Sequence, residues 1–246
     1  ADLRSLIAAD NFFSGNVEFR SNVKGPLKEP EVRVTLNSED LSFKKIENIV
    51  INAELYWKDR TLEVLSLDLK KENGEIHGKG ALHPLSWGEG NHLSLEWKAL
   101  DVGPFMDFIH SPYPLAGEAS GALNVSWEGL SLDDVDGECD VRFAPKKNGD
   151  PTDRGTPLSG RIIANADSGQ LDITLLDISI LDADLKGKFR MSPDKLSGDV
   201  RLEVQNIGKM MPLILAFAGN LDERDIQKLG LDGFASISAT LGGNLR

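Results

Sequence analysis

The chain has 246 residues and a net charge of −12, from 27 Lys and Arg against 39 Asp and Glu. A field of that sign repels phosphate backbones and anionic membrane surfaces, so it disfavours nucleic-acid binding and favours a soluble chain. Apolar residues make up 40% of the sequence, which is enough to bury an interior and excludes global disorder. The single cysteine, Cys139, is in phase with Val141 and Phe143, so we interpret it as a small core residue.

A short motif divides the chain: an apolar residue, any residue and then Gly, at Phe13-Ser14-Gly15, Leu115-Ala116-Gly117 and Leu231-Asp232-Gly233. In addition, residues 62–84 align without gaps with residues 171–193 at an offset of 109. Repetition on this scale predicts an architecture that grows by adding units. We therefore predict one continuous β structure made of a first unit, a second unit and a helical segment that opens a third, over residues 1–100, 101–206 and 207–246.

Each predicted unit begins with a short helix. The first helix is predicted over 2–9 and the second over 102–109, where apolar residues recur with helical spacing. The third is predicted over 208–229. Its apolar run at 210–218 is far shorter than the roughly 20 residues of a membrane span. We interpret this run as a plug against the core, with a lipid-contacting or groove-covering element as the alternative.

About six or seven strands are predicted to follow each helix, because apolar residues alternate with other residues. Turn signals such as Asn73-Gly74, Asp136-Gly137 and Ser168-Gly169 separate these strands, and closely spaced hairpins imply antiparallel pairing. The pattern leaves two architectures open, a closed sandwich and an open series of strands. In chain order the alternating sets include Val17/Phe19, Val32/Val34/Leu36, Ile49/Ile51/Ala53/Leu55/Trp57, Leu62/Val64, Leu65/Leu67/Leu69, Leu93/Leu95/Trp97, Leu123/Val125/Trp127, Cys139/Val141/Phe143, Leu171/Ile173/Leu175, Ile178/Ile180, Val200/Leu202/Val204 and Ala235/Ile237/Ala239/Leu241.

Catalytic and metal-binding motifs do not occur in the sequence. The histidines at 77, 83, 92 and 110 have no zinc-ligand spacing, and the acidic run that ends at Gly137 lacks the ligand positions of a calcium loop. There is no nucleophile elbow, phosphate-binding loop or dinucleotide fingerprint. We therefore predict that the chain is not an enzyme and uses no cofactor or metal.

The repeat unit has a recognisable order. Residues 115–129 read Leu-Ala-Gly-Glu-Ala-Ser-Gly-Ala-Leu-Asn-Val-Ser-Trp-Glu-Gly, and the first unit runs from Asp2-Leu3 through Phe13-Ser14-Gly15 and Val23-Lys24-Gly25 to Glu29-Pro30-Glu31-Val32-Arg33-Val34. Over essentially the whole chain this order resembles the AsmA-like superfamily of Gram-negative envelope proteins, most of all its TamB group (translocation and assembly module subunit). The second unit departs from the pattern, because 130–135 contain no Pro and 146–157 form a polar insertion.

The resemblance implies a middle region of a longer protein. The implied fold is a mainly β, elongated and curled antiparallel sheet (a β-taco) with a hydrophobic groove, built from repeats of about 100–115 residues that each open with a short helix. The implied function is a periplasmic conduit segment that carries phospholipid acyl chains between the inner and outer membranes. The parent protein would be anchored in the inner membrane and would act with the outer-membrane barrel TamA.

The groove predicted in this way is lined by inward-facing apolar residues, which would keep acyl methylenes out of water at about 0.8 kcal/mol for each CH₂. Two other functions remain open: a chaperone-like module for outer-membrane protein assembly by strand addition, and a closed-core structural repeat or adhesin scaffold. The predicted lining residues are Val17, Phe19, Val34, Leu55, Trp57, Leu67, Leu95, Trp97, Val125, Trp127, Phe143, Ile173, Ile180, Leu202 and Val204.

Overall fold

The computed structural model describes residues 13–43, 46–84, 90–108, 115–129, 134–146, 155–210 and 233–244. The helix α1 covers Gly103–Phe108, and residues 207–210 form a further helical turn. The strands are β1 Phe13–Ser14, β2 Glu18–Lys24, β3 Glu31–Phe43, β4 Ile46–Lys58, β5 Thr61–Lys71, β6 Gly74–Leu82, β7 Gly90–Asp101, β8 Leu115–Ala116, β9 Glu118–Glu128, β10 Val135–Ala144, β11 Thr156–Asp167, β12 Gln170–Ile180, β13 Ala183–Met191, β14 Lys195–Val204 and β15 Ala235–Asn244.

All of these strands belong to one 15-stranded sheet, in the order β1-β3-β4-β5-β6-β7-β9-β10-β11-β12-β13-β14-β15, with β2 beside β3 and β8 beside β11. Most neighbouring strands follow one another in the chain through short connections, whereas longer segments join β7 to β9, β10 to β11 and β14 to β15. The pairing is antiparallel except between β8 and β11. The prediction of a mainly β, antiparallel fold is confirmed. The described strands form one open sheet without a second sheet against it.

The helices lie where the sequence predicts them, within the part of the chain that the structure describes. The helix predicted over 102–109 is present as α1, and the one predicted from 208 begins at 207. The predicted helix over 2–9 and the part of the third helix after 210 lie outside the described residues. Among the helices that the structure describes, none has the length and apolar character needed to cross a membrane.

Two hairpins of the sheet correspond in detail. Shifted by 109 residues, the bounds of β5 and β6 coincide with those of β12 and β13. Their irregularities coincide as well, because the register slips between Val64 and Leu67 in β5 and between Ile173 and Leu176 in β12. A bulge inserts an unpaired residue and bends its strand, so the two segments share their local distortion as well as their strand lengths.

This bulge corrects one sequence-based assignment. The alternation places Leu175 in phase with Ile173, but the inserted residue reverses the phase. Leu176 therefore pairs with Ile162, whereas Leu175 pairs with Ile163 on the other face of the sheet. A period-two pattern cannot show this change, because one extra residue exchanges the two faces of a strand.

The predicted turn at Asp136-Gly137 is wrong, since both residues lie inside β10. Gly137 pairs with Val125 of β9, and a Cβ atom at Gly137 would lie only 2.8 Å from Val125 Cγ1. Gly137 therefore leaves room for the Val125 side chain within a continuous strand. Asp136 is exposed and accepts a hydrogen bond from the backbone N–H of Ser168, at 2.8 Å.

Gly121→Ala is expected to destabilise the protein by about 1–3 kcal/mol through overpacking. A Cβ atom at Gly121 would lie 2.7 Å from Trp97 Cζ2 and 2.2 Å from the carbonyl oxygen of Asp140. Urea unfolding followed by tryptophan fluorescence measures the loss. Gly243→Ala is the matched control, because nothing lies within 4 Å of that position. Equal unfolding midpoints for the two variants would contradict the predicted contact.

Candidate ligand-binding face

The strand register assigns each strand residue to one of two faces, because directly paired residues point to the same side of a sheet. One side, here called the apolar face, contains an unbroken central row with one apolar or glycine residue from each successive strand. With neighbouring strands about 4.8 Å apart, this row extends roughly 58 Å. The central row is Phe19, Leu36, Ala53, Leu67, Gly78, Leu95, Leu123, Cys139, Ala164, Ile173, Phe189, Gly198 and Leu241.

Strand register places the predicted lining residues on this apolar face, except Val17, which lies outside the strands. Phe19, Leu67, Leu95 and Ile173 belong to the central row itself. Val17 immediately precedes β2, two residues before Phe19, and its side chain is 54% exposed. Their contact with acyl chains stays a prediction. The remaining predicted residues lie further along the same strands, in phase with the row: Val34, Leu55, Trp57, Trp97, Val125, Trp127, Phe143, Ile180, Leu202 and Val204.

The apolar face is only partly covered. In the central row Ala53 and Ile173 are buried, Phe19 is 61% exposed, and the others are half-buried. An apolar sheet face that is left partly exposed in this way is typical of a surface that binds a ligand or a partner.

Helical segments cover one margin of the apolar face. Against α1, the buried residues Val102, Leu158 and Ile178 form a cluster that joins the helix to β11 and β12. The helical turn at 207–210 contributes the buried Met210 to a second cluster on β13 and β14. The described helical segments therefore pack against the margin, and neither cluster includes a residue of the central row.

The opposite margin is held by a buried amide. Asn91 is 3% exposed, and its side-chain oxygen accepts a hydrogen bond from the backbone N–H of His83 at 2.6 Å. Its side-chain nitrogen donates to the carbonyl oxygen of Gly129 at 2.7 Å. These bonds from one side chain to two backbone groups join the ends of β6, β7 and β9 at this margin.

A cleft of about 640 Å³ opens at the helix-covered margin, between the ends of β3 to β7 and the beginnings of α1 and β9. We call it the margin cleft. This cleft could not be predicted from the sequence, because its walls come together only through strand pairing. Asp101 and Lys146 form an ion pair of 2.9 Å at its rim. The floor consists of Phe43, Ile46, Ile49, Leu69, Ile76, Leu100 and Pro104, and the rim also carries Lys70, Lys71, Glu72, Asn73 and Glu118.

The other face of the sheet is solvated and carries cross-strand ion pairs. Arg161 donates to both carboxylate oxygens of Asp140, at 2.8 and 2.6 Å, and this lowers the pKa of Asp140 below its ordinary value. Glu31 and Lys58 lie 2.9 Å apart, and the hydrogen bond from Lys58 likewise lowers the pKa of Glu31. Partial removal from water and the neighbouring Glu31 raise the pKa of Tyr56. Such a face is typical of an antiparallel sheet with one side in water.

Asp140→Asn is expected to lower the thermal unfolding midpoint slightly at pH 7, because the pair is partly exposed. A carboxyl with a lowered folded-state pKa stabilises the protein above its unfolded value of about 3.9, and loses this effect as pH falls through the folded pKa. The difference between variant and parent should therefore shrink in acid. Thermal unfolding at several pH values measures it, and a difference independent of pH would contradict the assignment.

Polar clusters suited to metal binding do not occur within the described residues, since no group of three or more His, Cys, Asp or Glu side chains could hold an ion there. His77 hydrogen-bonds Asp68 through Nδ1 at 2.5 Å on the solvated face. The pair is exposed and lies outside the apolar face. It adds one more cross-strand contact to that side of the sheet.

Comparison with known proteins identifies no relative of the chain. No family model matches it, and neither a curated protein nor a solved structure matches it significantly. The apolar face, its uncovered central row and the margin cleft are therefore the features from which a function is inferred.

Proposed function

We propose that this chain is a segment of an AsmA-like, TamB-type conduit that carries phospholipid acyl chains across the periplasm along its apolar face. The observation that supports this proposal best is the unbroken central row. Each acyl methylene lying on the row leaves water, which contributes about 0.8 kcal/mol. Because no charged or hydrogen-bonding side chain interrupts the row, a chain moves from strand to strand without a local desolvation barrier.

Two further observations favour a curled, repetitive groove. The coincident bulges of β5 and β12, 109 residues apart, favour a fold that grows by whole units. The half-burial of the central row, with no second sheet packed on the described strands, favours a sheet that curls and shields its own face. An opening along its length would then admit acyl chains and leave head groups in water.

Native mass spectrometry after mild extraction tests this proposal. Phospholipid adducts on the purified chain are the expected result, and their loss on delipidation should expose the apolar face to a hydrophobic dye. A chain that carries no lipid and binds no phospholipid when titrated would overturn the proposal.

A second candidate, assembly of outer-membrane strands by addition to the sheet, is favoured by the edges. Among the described strands, β2 pairs only with β3 and β15 only with β14. Unpaired edges of this kind accept an added strand. Peptide adducts in place of lipid would support this function. The third candidate, a closed-core scaffold, is disfavoured by the single open sheet, whereas a partnership with TamA and an inner-membrane anchor rest on the resemblance alone.

A further inference from the structure

The margin cleft corresponds, position by position, to a site that a helix already fills in the second unit. Adding the offset of 109 residues, the floor residues Ile49 and Leu69 become Leu158 and Ile178. Those two residues are buried, at 5% and 9% exposure, in the cluster against α1. The same margin of the sheet is thus covered in one unit and open in the other.

A third floor residue strengthens this correspondence. Ile76 of β6 corresponds to Leu185 of β13, which packs against the cluster that contains Val102. Met106 of α1 packs against the same cluster. The surrounding backbone also corresponds, since β5 and β6 match β12 and β13 in length and in the position of the bulge. The cleft therefore has the strand geometry of a helix-binding site.

The segment that precedes β1 is the equivalent of α1 in the sequence. Both precede the apolar-x-Gly motif, and aligned on that motif Leu3, Leu6 and Ile7 coincide with apolar residues at 105, 108 and 109. Spacing of i, i+3 and i+4 places three apolar side chains on one face of a helix. Residues 1–12 lie outside the described part of the chain.

The chain enters the described structure beside the cleft. Phe13 of β1 pairs with Phe43 of β3, and Phe43 forms part of the cleft floor. A segment joined to Phe13 can therefore reach the cleft floor within its first turn. The local concentration of such a tethered segment is high, so a weak apolar contact is enough to hold it.

We infer that the margin cleft is the docking site of residues 2–9 of this chain, which cover Ile49, Leu69 and Ile76 as α1 covers Leu158, Ile178 and Leu185. Each unit then begins with a helix that seals one margin of the apolar face. Cargo is confined to the central row. This inference concerns the wall of the groove and does not depend on lipid binding.

Cysteine alkylation tests this docking site. In a Cys139→Ala background, Ile76→Cys should react slowly with a maleimide in the full chain and at least about tenfold faster after deletion of residues 1–9. Leu185→Cys is the matched control, because the deletion leaves α1 in place and should not change its rate. A synthetic peptide of residues 1–12 should restore protection at position 76.

An unchanged rate at position 76 on deletion would overturn the inference. So would a rate that responds to removal of bound lipid and not to deletion, since the occupant would then be an amphiphile. Should the deleted chain fail to fold by circular dichroism, the double variant Leu6→Asp/Ile7→Asp provides the same comparison, and it should expose position 76 while leaving position 185 protected.

Discussion

Leu95→Arg is expected to weaken acyl-chain binding strongly while leaving the strand content unchanged. Leu95 is half-buried in the central row, between Gly78 and Leu123, so an arginine there places a charge in the path of the lipid. Displacing about three methylene groups from the face costs about 2.4 kcal/mol, which is roughly a sixtyfold loss of affinity. Titration with a phospholipid that carries a fluorescent tail measures this loss.

Ser94→Arg is the matched control for that variant. It adds the same charge one residue earlier in β7, where Ser94 faces the solvated side and donates a hydrogen bond to Asn124. Its affinity for phospholipid should stay within about twofold of the parent, because a single surface charge contributes little. Equal affinities for the two variants, with both folded by circular dichroism, would exclude the central row as the binding surface.

Cys139 is expected to report occupancy of the apolar face. It belongs to the central row, and burial, with a smaller contribution from Asp140, raises the pKa of its thiol. Because the thiolate is the reacting form, alkylation should be slow at neutral pH and accelerate above the ordinary thiol pKa of about 8.5. Phospholipid at about ten times its dissociation constant should slow alkylation a further roughly tenfold, since only the unoccupied fraction reacts.

Glu138→Cys in a Cys139→Ala background is the control for this measurement. Residue 138 precedes Cys139 in β10 and is exposed on the solvated face, so its thiol should react quickly whether or not lipid is present. Equal protection at both positions would indicate a general effect of the vesicles or detergent. Absence of protection at Cys139 while lipid is bound would place the lipid elsewhere.

The strands and their two faces could be predicted from sequence to a large extent. Alternation located nearly every strand, and the predicted lining residues that lie in strands share one face of the sheet. The sequence-based prediction was wrong about the face of Leu175 and about a turn at Asp136-Gly137. A bulge reverses the phase at the first position, and at the second a glycine accommodates Val125 inside a strand and was misread as a turn. Both errors concern packing between neighbouring strands, which a period-two pattern does not contain.

The margin cleft could not be predicted in the same way. Its floor combines Phe43, Leu69 and Leu100, which are far apart in the sequence and come from three strands. Once the structure shows the margin cleft, the offset of 109 residues relates its floor to the cluster against α1. The alternating pattern predicts that residues such as Leu69 are apolar strand residues, but it does not predict that they line a common cavity.

By itself, the sequence determined that the chain forms many antiparallel strands, each with one apolar and one polar side, and that a helix lies near residues 103–108. Those properties are local, since they depend on residue spacing of two or of three to four. Only the tertiary structure decided that these apolar sides join in one central row of a single open sheet, and that helices cover one margin. Register and strand order depend on contacts between distant residues, and the same alternation would also satisfy two sheets closed on each other.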